Sequence, residues 1–159
     1  MAGTAEWYTP APIIEAARAV LGGIDLDPAS CAEANRTVQA TKYFDQKANG
    51  LERSWYGRIW LNPPYSRGLI GAFVDKLAED RADYHQAIVL VNASPGVEWF
   101  TKLSAFGDVL CLLDKRLRFR SPDHEGAQSP RHGQAVFGIG CDLEAFLHAF
   151  RELGCCWKK

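Results

Sequence analysis

The chain has 159 residues, 47% of them hydrophobic and 23% charged, with a net charge of −1. That balance suits a soluble globular domain with one good core and leaves no room for two ordinary domains, and near-neutral charge means that any nucleic-acid partner must be engaged locally. The longest apolar runs, such as residues 87–91, are far too short to span a membrane. No signal-peptide pattern opens the chain, and five cysteines without a C-x-x-C pair point to reduced thiols in a cytoplasmic protein.

Taken in order, Ile13, Ile14, Ala17, Val20 and Leu21 recur at helical spacing. Thr9 suits the N-cap ahead of Pro10, and Gly22 suits the stop. Ile24 and Leu26 alternate with Asp25 and Asp27, which predicts a short strand ended by Pro28. Asp27 then either caps a helix over Ala32–Val38, the commoner arrangement, or holds the hydroxyls or ammonium of a ligand. Tyr43, Phe44 and Asp45 read as a second short edge, and residues 49–51 (Asn-Gly-Leu) as a turn with an apolar plug.

The central stretch is Arg58-Ile59-Trp60-Leu61-Asn62-Pro63-Pro64-Tyr65-Ser66. A buried strand stops on two prolines, which donate no backbone N–H and fix two φ angles, so neither ladder nor helix continues. A stiff loop remains at a strand's carboxyl end, where open α/β sheets bind ligands. The Asn62 amide oxygen and the next carbonyl, that of Pro63, offer two acceptors to a planar –NH₂ group, and Tyr65 offers a face for the ring that carries it. Gripping both hydrogens keeps the nitrogen lone pair out of the ring and available as a nucleophile. The amine is neutral, so no base is needed before attack.

Ser66 is placed to cap a helix with Leu69, Ile70, Phe73, Val74 and Leu77 inward. Residues 86–92 read as a strand covered on both faces, followed by a Ser94-Pro95-Gly96 turn into a helix carrying Val97, Phe100 and Leu103. Strands follow over 108–113 and 134–139. Asp142 then caps a last helix, with Leu143, Phe146, Leu147, Phe150 and Leu153 inward and Gly154 as its stop. The alternation predicts an α/β fold, a compact, mostly parallel sheet with helices on both faces, in one domain over 1–159.

Residues 114–133 break the periodicity and carry five cations (Lys115, Arg116, Arg118, Arg120, Arg131) against three acids. Arg116, Arg118 and Arg120 share one face of an extended segment and suit phosphates or guanine edges; a solvated sheet edge would look the same. Arg58 and Arg67 flank the central stretch and could extend the patch. His124 and His132 lack metal-ligand spacing, and no metal site is expected.

With these residues in view, the chain resembles the phage-type DNA N6-adenine methyltransferase (Dam) family. The resemblance runs through Trp7-x-Thr9-Pro10, Ile24-Asp25-Leu26-Asp27-Pro28-Ala29-Ser30 with Asn35, Tyr43-Phe44, and Asn49-Gly50-Leu51 before Trp55. It continues through Asn62-Pro63-Pro64-Tyr65-Ser66 and Lys115-Arg116-Leu117-Arg118-Phe119 to Ala135-Val136-Phe137. It implies a Rossmann-like domain that takes a methyl group from S-adenosylmethionine to the N6 amine of a flipped adenine in double-stranded DNA, with Asn62, Pro63, Pro64 and Tyr65 as the catalytic set. Thr9 and Pro10 would meet the methionine end of the cofactor, with Trp7 also among the cofactor-binding residues. Asp27, Pro28, Ala29 and Ser30 would form the cofactor loop, with Asp45 at the ribose and residues 49–51, Leu51 included, at the adenine. Arg67, Lys115, Arg116, Arg118, Arg120 and Arg131 would contact DNA.

The loop Asp27-Pro28-Ala29-Ser30 lacks the glycines usual in methyltransferases, which a cofactor without phosphates does not require. The same motif could methylate a protein glutamine, RNA adenine or cytosine N4, or survive in a non-catalytic DNA-binding relic. The resemblance also implies a phage or prophage origin, and either the 114–133 loop reads a site unaided or a homodimer supplies a second contact surface.

Overall fold

The computed structural model describes residues 8–121, 124–128 and 131–159, with side chains described except at Arg67, Ser121 and 124–128. The fold is built on β1 (Leu26–Asp27), β2 (Lys42–Tyr43), β3 (Gly57–Leu61), β4 (Tyr84–Asn92), β5 (Val109–Leu113), β8 (Gln134–Ile139) and β9 (Gly154–Lys158), in the spatial order β2-β1-β3-β4-β8-β5-β9. The first four run parallel; β8 lies antiparallel between β4 and β5, and β9 antiparallel outside β5. The parallel half matches the expectation. The other half is antiparallel at every pairing, because two late strands return against β4 and β5. A separate ribbon pairs β6 (Phe119–Ser121) with β7 (His124–Gln128).

Strand residues alternate between two cores, as a pleated backbone requires. Trp60, Ile88, Leu90, Cys111 and Val136 meet α1 (Ala11–Leu21) and α5 (Leu143–Phe150) on one face. Ile59, Leu61, Ala87, Val89, Val91, Ala135 and Phe137 meet α3 (Leu69–Glu79) and α4 (Glu98–Phe106) on the other. The inward positions expected of α1 are all buried, and its end is a left-handed Gly22. Ile70, Phe73, Val74 and Leu77 are buried in α3 as expected, and the Asp142 carboxylate accepts the Ala145 N–H to cap α5.

Several local expectations need correction. Pro10, not Thr9, is the N-cap of α1, and no side chain caps it. The short helix α2 (Ala32–Val38) is capped by the Cys31 sulfur accepting from Ala34, so Asp27 does not cap it. Ser66 opens a 3₁₀ turn, and left-handed Gly68 is the N-cap of α3. Val97 is the exposed N-cap of α4 rather than an inward residue. Gly154 opens strand β9, where the sequence pattern predicts only a helix stop.

Arg58 is not part of a basic patch beside Asn62. It lies near the amino end of β3, where its guanidinium forms two hydrogen bonds with the Asp25 carboxylate, at 2.8 and 2.9 Å. The same carboxylate accepts the Arg58 backbone N–H at 2.8 Å. These Arg58 hydrogen bonds hold the Asp25 carboxyl down at about 2. Gly57 makes the approach feasible: its φ is +67°, and a Cβ there would stand 2.6 Å from the Asp25 carboxylate.

Candidate active site

The chain passes from β1 outward to β2, then crosses back to β3 on the other side of β1, so the strand order reverses between β1 and β3. Ligand crevices in open α/β sheets lie at the carboxyl ends flanking such a reversal. Asp27 ends β1 and Asn62 follows β3 directly. Asn92 ends β4 at the same rim. Because β8 is antiparallel, its first residue, Gln134, stands opposite Asn92. The segment leaving β5 toward Lys115 and Arg116 starts from this rim too, since β5 runs in the direction of β4.

The four-residue loop is fastened at both ends. The Asn62 Nδ2 donates to Thr9 Oγ1 at 3.1 Å. The hydroxyl expected to cap α1 thus holds the amide at the end of β3 instead. Tyr65 keeps 38% of its surface exposed, while its hydroxyl accepts the Asn92 backbone N–H at 2.5 Å. Burial around that hydroxyl pushes its pKa up to about 12. The Trp99 ring of α4 meets the Tyr65 ring edge-on, with centroids 6.1 Å apart. Asn92 is held in turn by Gln134, only 3% exposed, whose Nε2 donates to the Asn92 Oδ1 at 2.7 Å and to the His132 carbonyl at 3.4 Å. Pro63 is buried and Pro64 half-buried.

Asn92, Trp99 and Gln134 were missed in the sequence. The available signal was weak: a polar residue at one end of each of two apolar strand runs, and an aromatic in the first turn of a helix.

On the β1 side of the reversal, Asp27 is 2% exposed. Burial pushes its carboxyl up to about 7, against the opposing pull of the Ser30 hydroxyl and the Ala29 N–H. The Ala29 N–H lies 3.3 Å from Oδ1. Ser30 donates its backbone N–H to Phe44 at the end of β2, which ties the loop to the neighbouring strand. Gly50 abuts the loop so closely that a Cβ there would sit 2.0 Å from the Pro28 carbonyl oxygen. The fold therefore brings Asp27, Pro28, Ala29, Ser30 and the 49–51 turn together, with Leu51 half-buried beside them. Asp45 lies just past β2, exposed, its carboxylate accepting the Ala48 N–H at 2.7 Å. Asn35, one of the anchors, fastens the turn after α2 by exchanging hydrogen bonds with the Ala40 backbone.

A buried carboxyl pushed up this far is suited to a cationic ligand group, which would restore its charge. S-adenosylmethionine carries an ammonium and a sulfonium, and the loop makes no phosphate cradle that it would leave unused. The residues present fit that cofactor. Among the described residues, no group of His, Cys, Asp and Glu is placed to hold a metal ion.

On the basic side, the expected alternation is present. Arg116, Arg118 and Arg120 are exposed, while Leu117 is half-buried and Phe119 buried in the α1/α5 core. Lys115 and Arg131 are exposed as well. Only Arg120 of the row belongs to the ribbon, and its backbone forms an isolated antiparallel bridge with Tyr8. Tyr8 N–H donates to the Arg120 carbonyl at 2.8 Å, and Arg120 N–H returns the bond at 3.3 Å. The arginine segment is thereby tied to the residue before Thr9. Trp7 and the Arg67 side chain lie outside the described residues.

Residues 2–140 match the family described as DNA N-6-adenine-methyltransferase (Dam). A protein of Escherichia phage T1 named DNA N-6-adenine-methyltransferase is 32% identical over 137 residues, covering 84% of this chain and 54% of its own length. The chain thus spans about half the length of the curated relative it matches. Among solved structures, a dimethyladenosine transferase from Plasmodium falciparum aligns with TM-score 0.48 and 15% identity, over 89% of this chain and 65% of that one. Thermoplasma acidophilum 1320 aligns with TM-score 0.39 and 19% identity, over 67% and 58%. At such scores neither structural likeness bears on function.

Proposed function

Because the chain belongs to the DNA N-6-adenine-methyltransferase (Dam) family, we propose that it transfers a methyl group from S-adenosylmethionine to the exocyclic N6 amine of adenine in double-stranded DNA. The observation that carries this reading is the Asn62-Pro63-Pro64-Tyr65 loop at the carboxyl end of β3, beside the strand reversal, with Asn62 held by Thr9 and Tyr65 by Asn92.

The adenine leaves the duplex to reach this loop, since its amine is otherwise paired and stacked. The Asn62 amide oxygen and the Pro63 carbonyl accept the two amine hydrogens, and the ring lies on Tyr65, a contact worth ~1–3 kcal/mol. S-adenosylmethionine, when bound, supplies a methyl on a sulfonium sulfur that departs as a neutral thioether as the amine nitrogen takes the methyl. The amine's proton then leaves to water, so the loop needs no titrating base. What these residues contribute is alignment, which can supply several kcal/mol of the barrier.

Pro10 and the Asp27–Pro28 loop hold the methionine end, with Asp27 facing a positive charge, while the Thr9 hydroxyl is engaged by Asn62. Asp45 and residues 49–51 take the ribose and adenine. Lys115, Arg116, Arg118, Arg120, Arg131 and Arg67 contact the duplex, with a second copy of the chain as a further contact surface. The proposed reaction takes place on DNA in the cytoplasm of a bacterial host; no helix among the described residues is long and apolar enough to cross a membrane.

The test is transfer of labelled methyl from S-adenosylmethionine to duplex DNA, followed by nucleoside analysis. N6-methyl-2′-deoxyadenosine is expected, and Asn62→Ala should lower the rate about 10²–10³-fold. Label on cytosine, RNA or protein would reassign the substrate, and full activity in Asn62→Ala would refute the mechanism.

A further inference from the structure

The amide of Asn62 can present either its oxygen or its nitrogen to a target amine, and only the oxygen accepts a hydrogen bond from it. The proposed chemistry therefore depends on which way this amide is turned. Its Nδ2 donates to Thr9 Oγ1 at 3.1 Å, across 53 residues of sequence. The amide oxygen then lies on the opposite side of the group. Thr9 is itself held in place: it sits between the Tyr8–Arg120 backbone bridge and α1, whose Ile13, Ile14 and Ala17 are buried in the core.

We propose that Thr9 is a positioning residue for catalysis, its hydroxyl setting the orientation of the Asn62 amide so that Oδ1 meets the target amine. This rests on the methyl-transfer reading above. It differs from a contact between Thr9 and the cofactor, which would act on cofactor affinity instead. Misplacing a reacting group by about an ångström can lower a rate ~10²-fold without weakening binding. Valine keeps the shape of threonine and removes the acceptor, whereas serine keeps the hydroxyl.

The experiment compares wild type, Thr9→Val and Thr9→Ser. It measures single-turnover methyl transfer at saturating S-adenosylmethionine and DNA, alongside S-adenosylmethionine affinity by calorimetry and DNA affinity at fixed salt. The expected result is a rate lowered about 10–100-fold in Thr9→Val, affinities within about threefold of wild type, and recovery in Thr9→Ser. An undiminished rate in Thr9→Val, a Thr9→Ser variant as slow as Thr9→Val, or a loss confined to cofactor affinity would each overturn it.

A second readout needs no activity. In the ligand-free wild type, the Asn62 side-chain NH₂ should exchange its hydrogens more slowly than exposed asparagine amides, and Thr9→Ser should preserve that protection. Fast exchange in wild type would refute the bond even if Thr9→Val failed to fold. Absence of any methyl transfer by wild type onto DNA adenine would instead strike the methyl-transfer reading and leave the exchange result standing.

Discussion

Replacing Asp27 with asparagine should make the protein's stability less dependent on pH. The Asp27 carboxyl is pushed from 3.8 up to about 7, chiefly by burial. Between those values the folded chain keeps a proton that the unfolded chain has released, so stability is highest below the unfolded value and falls as pH rises through about 7. Across that whole range the loss comes to about 4 kcal/mol, of which roughly 2–3 kcal/mol should fall between about pH 5 and about pH 8. Asparagine has nearly the same shape and no proton to lose.

The assay is urea unfolding of both proteins at the two pH values, with equal m-values as a check on the comparison. Wild type should weaken by that amount relative to Asp27→Asn as pH rises. Parallel curves would mean that Asp27 is not buried as a neutral acid, and would remove the argument for a cationic ligand beside it. A cation bound there restores the carboxylate, so S-adenosylmethionine binding near pH 6 should release a proton, visible by calorimetry in buffers of different ionisation enthalpy.

Tyr65→Phe removes the hydroxyl that accepts the Asn92 N–H and keeps the ring; it should cost about 1 kcal/mol of stability and leave methyl transfer within about tenfold of wild type. Tyr65→Ala should lose the ~1–3 kcal/mol of base stacking, measured as weaker retention of a flipped 2-aminopurine. Changing Arg118 and Arg120 together to alanine should abolish duplex binding at fixed salt and spare cofactor binding. Unchanged DNA affinity would take the loop out of the proposal. Gly50→Ala places a methyl against the Pro28 carbonyl and should destabilise the fold by about 1–3 kcal/mol, read as a lower melting temperature.

The parts legible in the sequence were those with local causes. The α1 stripe followed from helical spacing, the end of β3 from two prolines, and the outward arginines from alternation with Leu117 and Phe119. What could not be read depended on distant partners. Nothing near Thr9 shows that its hydroxyl meets an amide 53 residues on, and the capping rule pointed elsewhere. Gln134 and Asn92 are 42 residues apart and meet only because β8 inserts beside β4. Arg58 looked like part of a patch because it stands just four residues before Asn62 in sequence, while its partner Asp25 lies just ahead of β1. Cys31 escaped notice as a cap because sulfur is a weaker acceptor than the usual oxygens. Strand order is invisible to periodicity altogether.

The place of β8 bears on how the molecule assembles. It fills the slot between β4 and β5, yet it is made after both, and after the β6–β7 ribbon. A nascent chain that has not reached residue 134 has no strand to join β4 to β5, and the apolar run of β4 has an unpaired edge. Sheet closure must wait for that late strand, and such non-local pairing favours slow folding. The match to the family ends at residue 140, one residue beyond β8. Truncation inside β8 should therefore prevent closure, whereas removal of α5 and β9 would test how much of the sheet survives on the family's part of the chain alone.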